Sequence, residues 1–173
     1  MAAYKALPHV VMAKDFVEAC GILESASTSD EINLAQQAVA ASVHYMPESQ
    51  QVETLVRRMY QAGEAKKYLY YPVLATTGQQ EALDIIIAGC DKDSGEAKGA
   101  ALSALLSWND LRAADYLYKV AQAGGQVGAA ALTRYVDLVA ASDMTGENKL
   151  LRLRKAMDIA GQDGVRNLIL QKV

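Results

Sequence analysis

The stretch AKGAALSALLSWNDLRAADYLYKV, residues 97–120, decides how the rest of the chain is read. Its first half is dominated by Ala and Leu, which lose little rotamer freedom in a helix. Leu102, Leu105 and Leu106 recur at helical spacing, so they form one apolar stripe. After Trp108, Asn109 and Asp110 break the pattern, and either side chain can accept the orphan N–H groups of a new helix. Residues 97–120 therefore spell helix, turn, helix.

The same text recurs. Residues 65–87, AKKYLYYPVLATTGQQEALDIII, align with it so that Ala65 falls over Ala97, Leu69 over Ala101, Val73 over Leu105, Ala82 over Ala114 and Ile85 over Leu117. Residues 34–56 and 128–142 read alike, and the segment starts Leu34, Ala65, Ala97 and Gly128 lie about 31 residues apart. The breaks carry cap chemistry. Thr28–Glu31 and Thr77–Gln80 fit capping boxes, and Pro47 opens a polar turn. Gly124, Gly125 and Gly161 mark helix ends. The pattern predicts helices over 8–25, 29–45, 48–62, 65–77, 79–90, 94–108, 110–123, 127–141, 146–160 and 162–172. A two-helix unit of this size cannot bury its own apolar face, whereas stacked units share a continuous core. The expected fold is all-α, an α-solenoid of antiparallel helix pairs with about 9–10 helices, filling residues 1–173 as one domain.

Composition narrows the function. The chain has 173 residues, about half of them apolar, and carries a net charge of −3. An acidic chain lacks the basic face that phosphate neutralisation requires, which argues against a nucleic-acid partner. No apolar run reaches the roughly 20 residues of a membrane span. The N-terminal text has no signal-peptide layout, because Lys14 and Asp15 interrupt a short apolar stretch. That leaves a cytoplasmic chain, or one whose leader is absent. Cys20 and Cys90 sit in apolar helical text and read as buried free thiols.

Stacked helix pairs resemble the HEAT-repeat family, as does Pro72 inside the first helix of its unit, although the period is shorter than the usual HEAT repeat. Residues 94–173 are similar to a narrower group. Ser107-Trp108-Asn109-Asp110 ends a small-residue helix, Tyr135-Val136-Asp137-Leu138 lies in another, and Lys149–Ala160 is followed by Asp163-Gly164-Val165-Arg166. These elements look like HEAT-like arrays of secreted bacterial proteins, which accompany a jelly-roll-like domain (DUF1080) linked to hydrolysis of 3-keto-glycosides. The resemblance implies a periplasmic or extracellular setting and a catalytic domain elsewhere in the polypeptide. The final segment reads as a first-type helix without its partner, so the chain is expected to be a fragment of a longer protein.

No residue set in the sequence points to catalysis. His9 and His44 lack a nearby nucleophile or acid pattern. Glu53, Glu81, Asp84, Asp115 and Asp137 lie in helical surface text without a pairing that singles out acid–base work. Asp91–Gly95 lacks the spacing of a calcium loop, and Asp93 or Ser94 is expected to cap the next helix. No cofactor or metal is expected. The basic text Lys149, Arg152, Arg154, Lys155 and Arg166 reads as a solvated face that could meet an acidic partner. Tyr60, Tyr68 and Tyr71 form an aromatic patch suited to peptide or sugar recognition. Polar positions on second helices, Arg57, Arg58, Gln61, Asp84, Arg112, Asp115 and Lys119, are the candidate lining of a concave face. The function expected is non-catalytic binding or scaffolding, toward a protein partner or a neighbouring domain. The alternative is an accessory segment of a carbohydrate-processing hydrolase. Trp108 is expected to wedge an inter-helix corner, with its N–H reaching a loop carbonyl.

Overall fold

A computed structural model describes residues 8, 11–161 and 163–172, and all regular structure among them is helical. Contacts divide the chain into two compact units, Met1–Ala104 and Leu105–Val173. The first contains α1 (Phe16–Ser25), α2 (Ser29–His44), α3 (Glu48–Ala62), α4 (Tyr71–Thr76), α5 (Gln80–Lys92) and most of α6 (Gly95–Ser107). The second contains α7 (Ala114–Gln122), α8 (Gly125–Ala141), α9 (Gly146–Ile159) and α10 (Asp163–Lys172). Short 3-10 helices, η1 (Ala13–Asp15), η2 (Glu64–Leu69) and η3 (Leu111–Ala113), precede α1, α4 and α7.

Most helix bounds follow the expected ones, but the helix expected over 8–25 is α1 at Phe16–Ser25 only, with Val11 and Met12 outside any helix and η1 before it, and the one expected over 110–123 begins as η3. Residues 65–77 were expected to be one bent helix. Instead the chain winds as the 3-10 helix η2 and restarts as α4, with Pro72 in the first turn. Proline has no N–H and its ring collides with the carbonyl four residues back, so it fits a first turn far better than a helix interior. The carbonyl of Leu69, at the end of η2, accepts a 2.8 Å bond from the Gln36 side chain of α2. Gly63 opens η2 with φ of 81°, a left-handed value that glycine adopts at no steric cost.

Caps explain the other ends. The capping box at Thr28 forms, with Thr28 Oγ1 accepting from Glu31 N and Glu31 Oε2 accepting from Thr28 N. The one expected at Thr77 does not. The N-cap of α5 is Gln79, while Thr77 Oγ1 donates back to the Leu74 carbonyl and so closes α4. Asp110 caps η3 by accepting from Arg112 N at 2.9 Å. Thr145 caps α9 through Asn148 N.

In the first unit α1 packs on α2, α2 reaches α3 and α4, and α4 packs on α5. Leu23, Val39, Leu55, Leu74, Leu83 and Ile86 are fully buried between them. Burying a side chain of that size contributes about 2 kcal/mol. Cys20 and Cys90 are buried and unpaired. In the second unit α8 is central, packing on α7, α9 and α10. Its stripe of Leu132, Tyr135, Val136 and Val139 is buried as its spacing predicts. Gly128 brings α8 close to α7, since an added Cβ would stand 3.0 Å from the Ala121 carbonyl oxygen. Of the aligned pairs, Leu69 and Ala101, Val73 and Leu105, and Ala82 and Ala114 are buried alike, whereas Ile85 is half-buried opposite a fully buried Leu117.

Trp108 is buried at 3% exposure, as expected of a corner wedge, but its N–H reaches no carbonyl. The Asp110 carboxyl is held below its ordinary range chiefly by the hydrogen bond from Arg112, and the nearby indole adds little, without hydrogen-bond geometry. The polar work at this corner falls to Arg134 of α8. It donates to the Trp108 carbonyl through Nε at 3.0 Å, and through a terminal nitrogen to Asn109 Oδ1 at 2.5 Å. Arg112 lies over the indole ring, 5.8 Å from its centroid.

Candidate functional site

Two regions gather tyrosines with charged groups, one closed and one open. The closed region lies in the first unit. The consecutive residues Tyr70 and Tyr71 are both buried at the start of α4 and point into separate clusters. The Tyr70 hydroxyl donates to Glu24 of α1, whose two carboxylate oxygens also accept both arms of Arg58 at 2.8 Å. The Tyr71 hydroxyl donates to Asp93, whose other oxygen accepts from Lys67 at 2.7 Å. Burial drives both phenols well above their ordinary pKa, and acceptance by a carboxylate adds to it. Burial would also raise the Asp93 carboxyl, but Lys67 and Tyr71 outweigh it and hold Asp93 below the usual range. Cys20, beside Tyr70, is pushed up to about 11 by burial, so its thiol stays protonated and unreactive at neutral pH. A carboxylate neutralised by a cation and closed off by a phenol is a structural joint.

This arrangement corrects several site expectations. Tyr71, expected on a surface patch with Tyr60 and Tyr68, is 1% exposed. Only Tyr60 is well exposed, at 63%, with the Lys67 ammonium 5.9 Å from its ring centroid. Tyr68 is half-buried. Arg58, expected on a binding face, is consumed by Glu24, whereas Arg57 pairs with Glu53 in solvent. Asp84 accepts from Gln80, and Gln61 is exposed. Asp93, one of the two residues expected to cap α6 (Ser94 was the other), gives its carboxylate to Lys67 and Tyr71. His44 is exposed in the last turn of α2, and His9 lies outside the described residues.

The open region lies in the second unit, a cleft of about 500 Å³ walled by α7, α8 and α9. Tyr118 and Tyr135 form part of its lining, with ring centroids 5.3 Å apart and planes tilted by 50°. Both hydroxyls point at α9: Tyr118 donates to the Lys155 carbonyl at 3.2 Å and Tyr135 to the Arg152 carbonyl at 3.5 Å. Asn148, Leu151, Arg152 and Lys155 line the facing wall at positions i, i+3, i+4 and i+7 of α9, one helical face. The buried positions Leu153 and Ala156 anchor α9 to the core on its other side. Leu151 stands 55% exposed.

The charges of the cleft are unequal. Arg152 donates to Asp115 of α7 at 2.7 Å, and this bond raises its pKa against the opposing effect of burial. The Asp115 side chain is 85% exposed, so the pair is loosely held. Among the described residues Lys155 has no ion-pair partner. In sequence, α9 carries Lys149, Arg152, Arg154 and Lys155 against Glu147 and Asp158, a basic helix in a chain of net charge −3.

The chain matches no known protein family, no curated protein and no solved structure.

Of the expected lining residues, Asp115 alone lies in this cleft. Arg112 is bonded to Asp110, and the Lys119 ammonium lies over the Tyr116 ring at 4.8 Å. Arg152 and Lys155, expected as a solvated face that could meet an acidic partner, supply the cations; Tyr135 was read only as part of a core stripe, and Tyr118 was not singled out. A signal existed in the i, i+3, i+4, i+7 row of Asn148, Leu151, Arg152 and Lys155 on α9, but the partner tyrosines come from two other helices. Among the described residues no three His, Cys, Asp or Glu side chains converge to hold a metal, and no helix is long and apolar enough to cross a membrane.

Proposed function

We propose that this chain is a non-catalytic binding module built from HEAT-like helix pairs, and that it engages a protein partner through the cleft of its second unit. The observation carrying the reading is the cleft itself, where the half-buried Tyr118, backed by the buried Tyr135 ring, and the exposed Leu151 stand beside Arg152 and Lys155. Aromatic anchors rimmed by polar groups are the usual composition of a recognition site. The neighbour pattern supports stacked pairs: α8 packs on α9 and reaches α10, and α9 also reaches α7. The partner is either a separate protein or a neighbouring domain of the same polypeptide. The likeness of residues 94–173 to arrays beside sugar-hydrolysing domains favours the second source and a cell-envelope setting.

A photo-crosslinking amino acid at Leu151 tests the reading in the full-length protein in its native cells. It is expected to capture one polypeptide, which then binds the purified chain. The same probe at Val17, exposed on α1, is expected to capture none. Equal capture at both positions, or a captured polypeptide that fails to bind when purified, overturns the reading.

A further inference from the structure

We infer that the cleft takes an extended acidic peptide segment, seating a large apolar side chain against Tyr118 and Leu151 and a neighbouring carboxylate against Lys155 and Arg152, with Asp115 acting as a built-in competitor for Arg152. This inference rests on the binding-module reading and specifies its occupant.

Charge complementarity is the first argument. Among the described residues Lys155 has no carboxylate partner, and Asp115 is the only carboxylate in the cleft lining. A ligand that brings one carboxylate satisfies Lys155, and one that brings two also satisfies Arg152. Shape is the second. The lining couples the half-buried Tyr118 ring to the exposed Leu151, so part of the ligand must be apolar and about the size of an aromatic or leucyl side chain. A cleft of about 500 Å³ holds a few residues of an extended chain, and its rim of Asn148, Arg152 and Lys155 runs along one face of α9. The Asn148 carboxamide adds a donor and an acceptor suited to a peptide backbone.

Competition is the third argument. Asp115 reaches Arg152 through a single 2.7 Å contact from a side chain that is almost wholly in solvent. Such a pair is weak, because water screens it and two flexible side chains must be ordered to form it. An incoming carboxylate can displace Asp115 at small cost, and the displaced group then returns to water. The Tyr118 and Tyr135 hydroxyls are already committed to backbone carbonyls of α9, so neither is free for a ligand and Tyr118 offers its ring alone.

The test uses the full chain and fluorescein-labelled Gly-Asp-Trp-Asp-Gly, followed by fluorescence anisotropy. Binding is expected, weakening as salt is raised, and the isosteric Gly-Asn-Trp-Asn-Gly should bind about tenfold more weakly. Lys155→Gln should weaken the acidic peptide about fivefold, whereas Asp115→Asn should tighten it by about the same factor. Tightening on loss of an acid is the diagnostic result, since a merely structural Asp115 would give the opposite sign. Equal affinity for both peptides, weaker or unchanged binding by Asp115→Asn, or preference for neutral cellotriose over the acidic peptide would each overturn the inference. If the Leu151 crosslink captures a binding partner while the acidic peptide shows no preference, the inference falls and the module reading stands. If neither engages, both fall.

Discussion

The two units use the same three chemical groups to opposite ends. In the first, Tyr70 and Tyr71 each meet a carboxylate that is already paired with a cation, and all these groups turn inward. In the second, Tyr118 and Tyr135 meet backbone carbonyls, leaving Arg152, Lys155 and Asp115 at a solvent-filled cleft. Satisfaction separates the two cases. A buried polar group must be fully partnered or it costs stability, whereas an exposed one keeps water as a partner and stays available to a ligand. Substitutions in the first unit should therefore unfold the protein, and substitutions in the cleft should change only what it binds.

The largest break is expected at Glu24. Glu24→Gln leaves Arg58 without its counter-charge and Tyr70 with a poorer acceptor. Removing one partner of a largely buried pair typically costs 3–5 kcal/mol, and because both side chains keep some solvent here the loss should be about 3 kcal/mol in urea unfolding. The combination Glu24→Leu, Arg58→Met and Tyr70→Phe should recover most of that loss, since apolar groups of similar volume leave nothing unpaired. A loss under about 1 kcal/mol for Glu24→Gln would show that the cluster is not a closed joint.

A smaller break is expected at Gly89. A Cβ there would stand 2.3 Å from the Tyr71 hydroxyl oxygen and 2.5 Å from its Cζ, so the ring must move and lose Asp93. Overpacking together with one lost hydrogen bond should cost about 2 kcal/mol in Gly89→Ala. Gly99, in α6 with open space around it, is the control: Gly99→Ala should stabilise by about 0.5 kcal/mol through helix propensity alone. Equal effects at both glycines would mean that Tyr71 yields without resistance.

The helical class, most helix bounds and the Thr28 cap were legible because they depend on local spacing and local chemistry. The 3-10 winding of η2 was missed, because Pro72 was read as a kink inside one helix, whereas Gln36, far away in sequence, takes up the Leu69 carbonyl and Pro72 falls in a first turn. The site was least legible. Tyr68 and Tyr71 stood out by their spacing, yet Tyr71 turns inward toward Asp93, a contact between residues 22 positions apart. The cleft joins Asp115 to Arg152 across 37 positions, and nothing local marks that pairing. Arg134 was missed for the same reason, since its partners are the carbonyl of Trp108 and the side chain of Asn109.

The smallest expected effect is the sharpest test of the contrast. Asp115 and Arg152 form an ion pair at 2.7 Å, the same length as the Lys67–Asp93 pair of the first unit. If length set strength, Asp115→Asn and Asp93→Asn would cost the same. They should not, because the Asp115 side chain is 85% exposed and the Asp93 side chain 9%. Water around Asp115 weakens the attraction and takes over as partner when the charge is lost, so Asp115→Asn should alter stability by less than about 0.5 kcal/mol. Asp93→Asn strips the counter-charge from Lys67, and its cost should depend on pH. A carboxyl whose folded pKa is depressed contributes stability above its ordinary pKa and loses it as pH falls through the folded value. The gap between Asp93→Asn and the parent chain should thus be full at neutral pH and close below about pH 4, while the Asp115→Asn gap stays near zero throughout. Urea midpoints measured across that range separate the two pairs, and two parallel curves would erase the distinction between a joint and an open site.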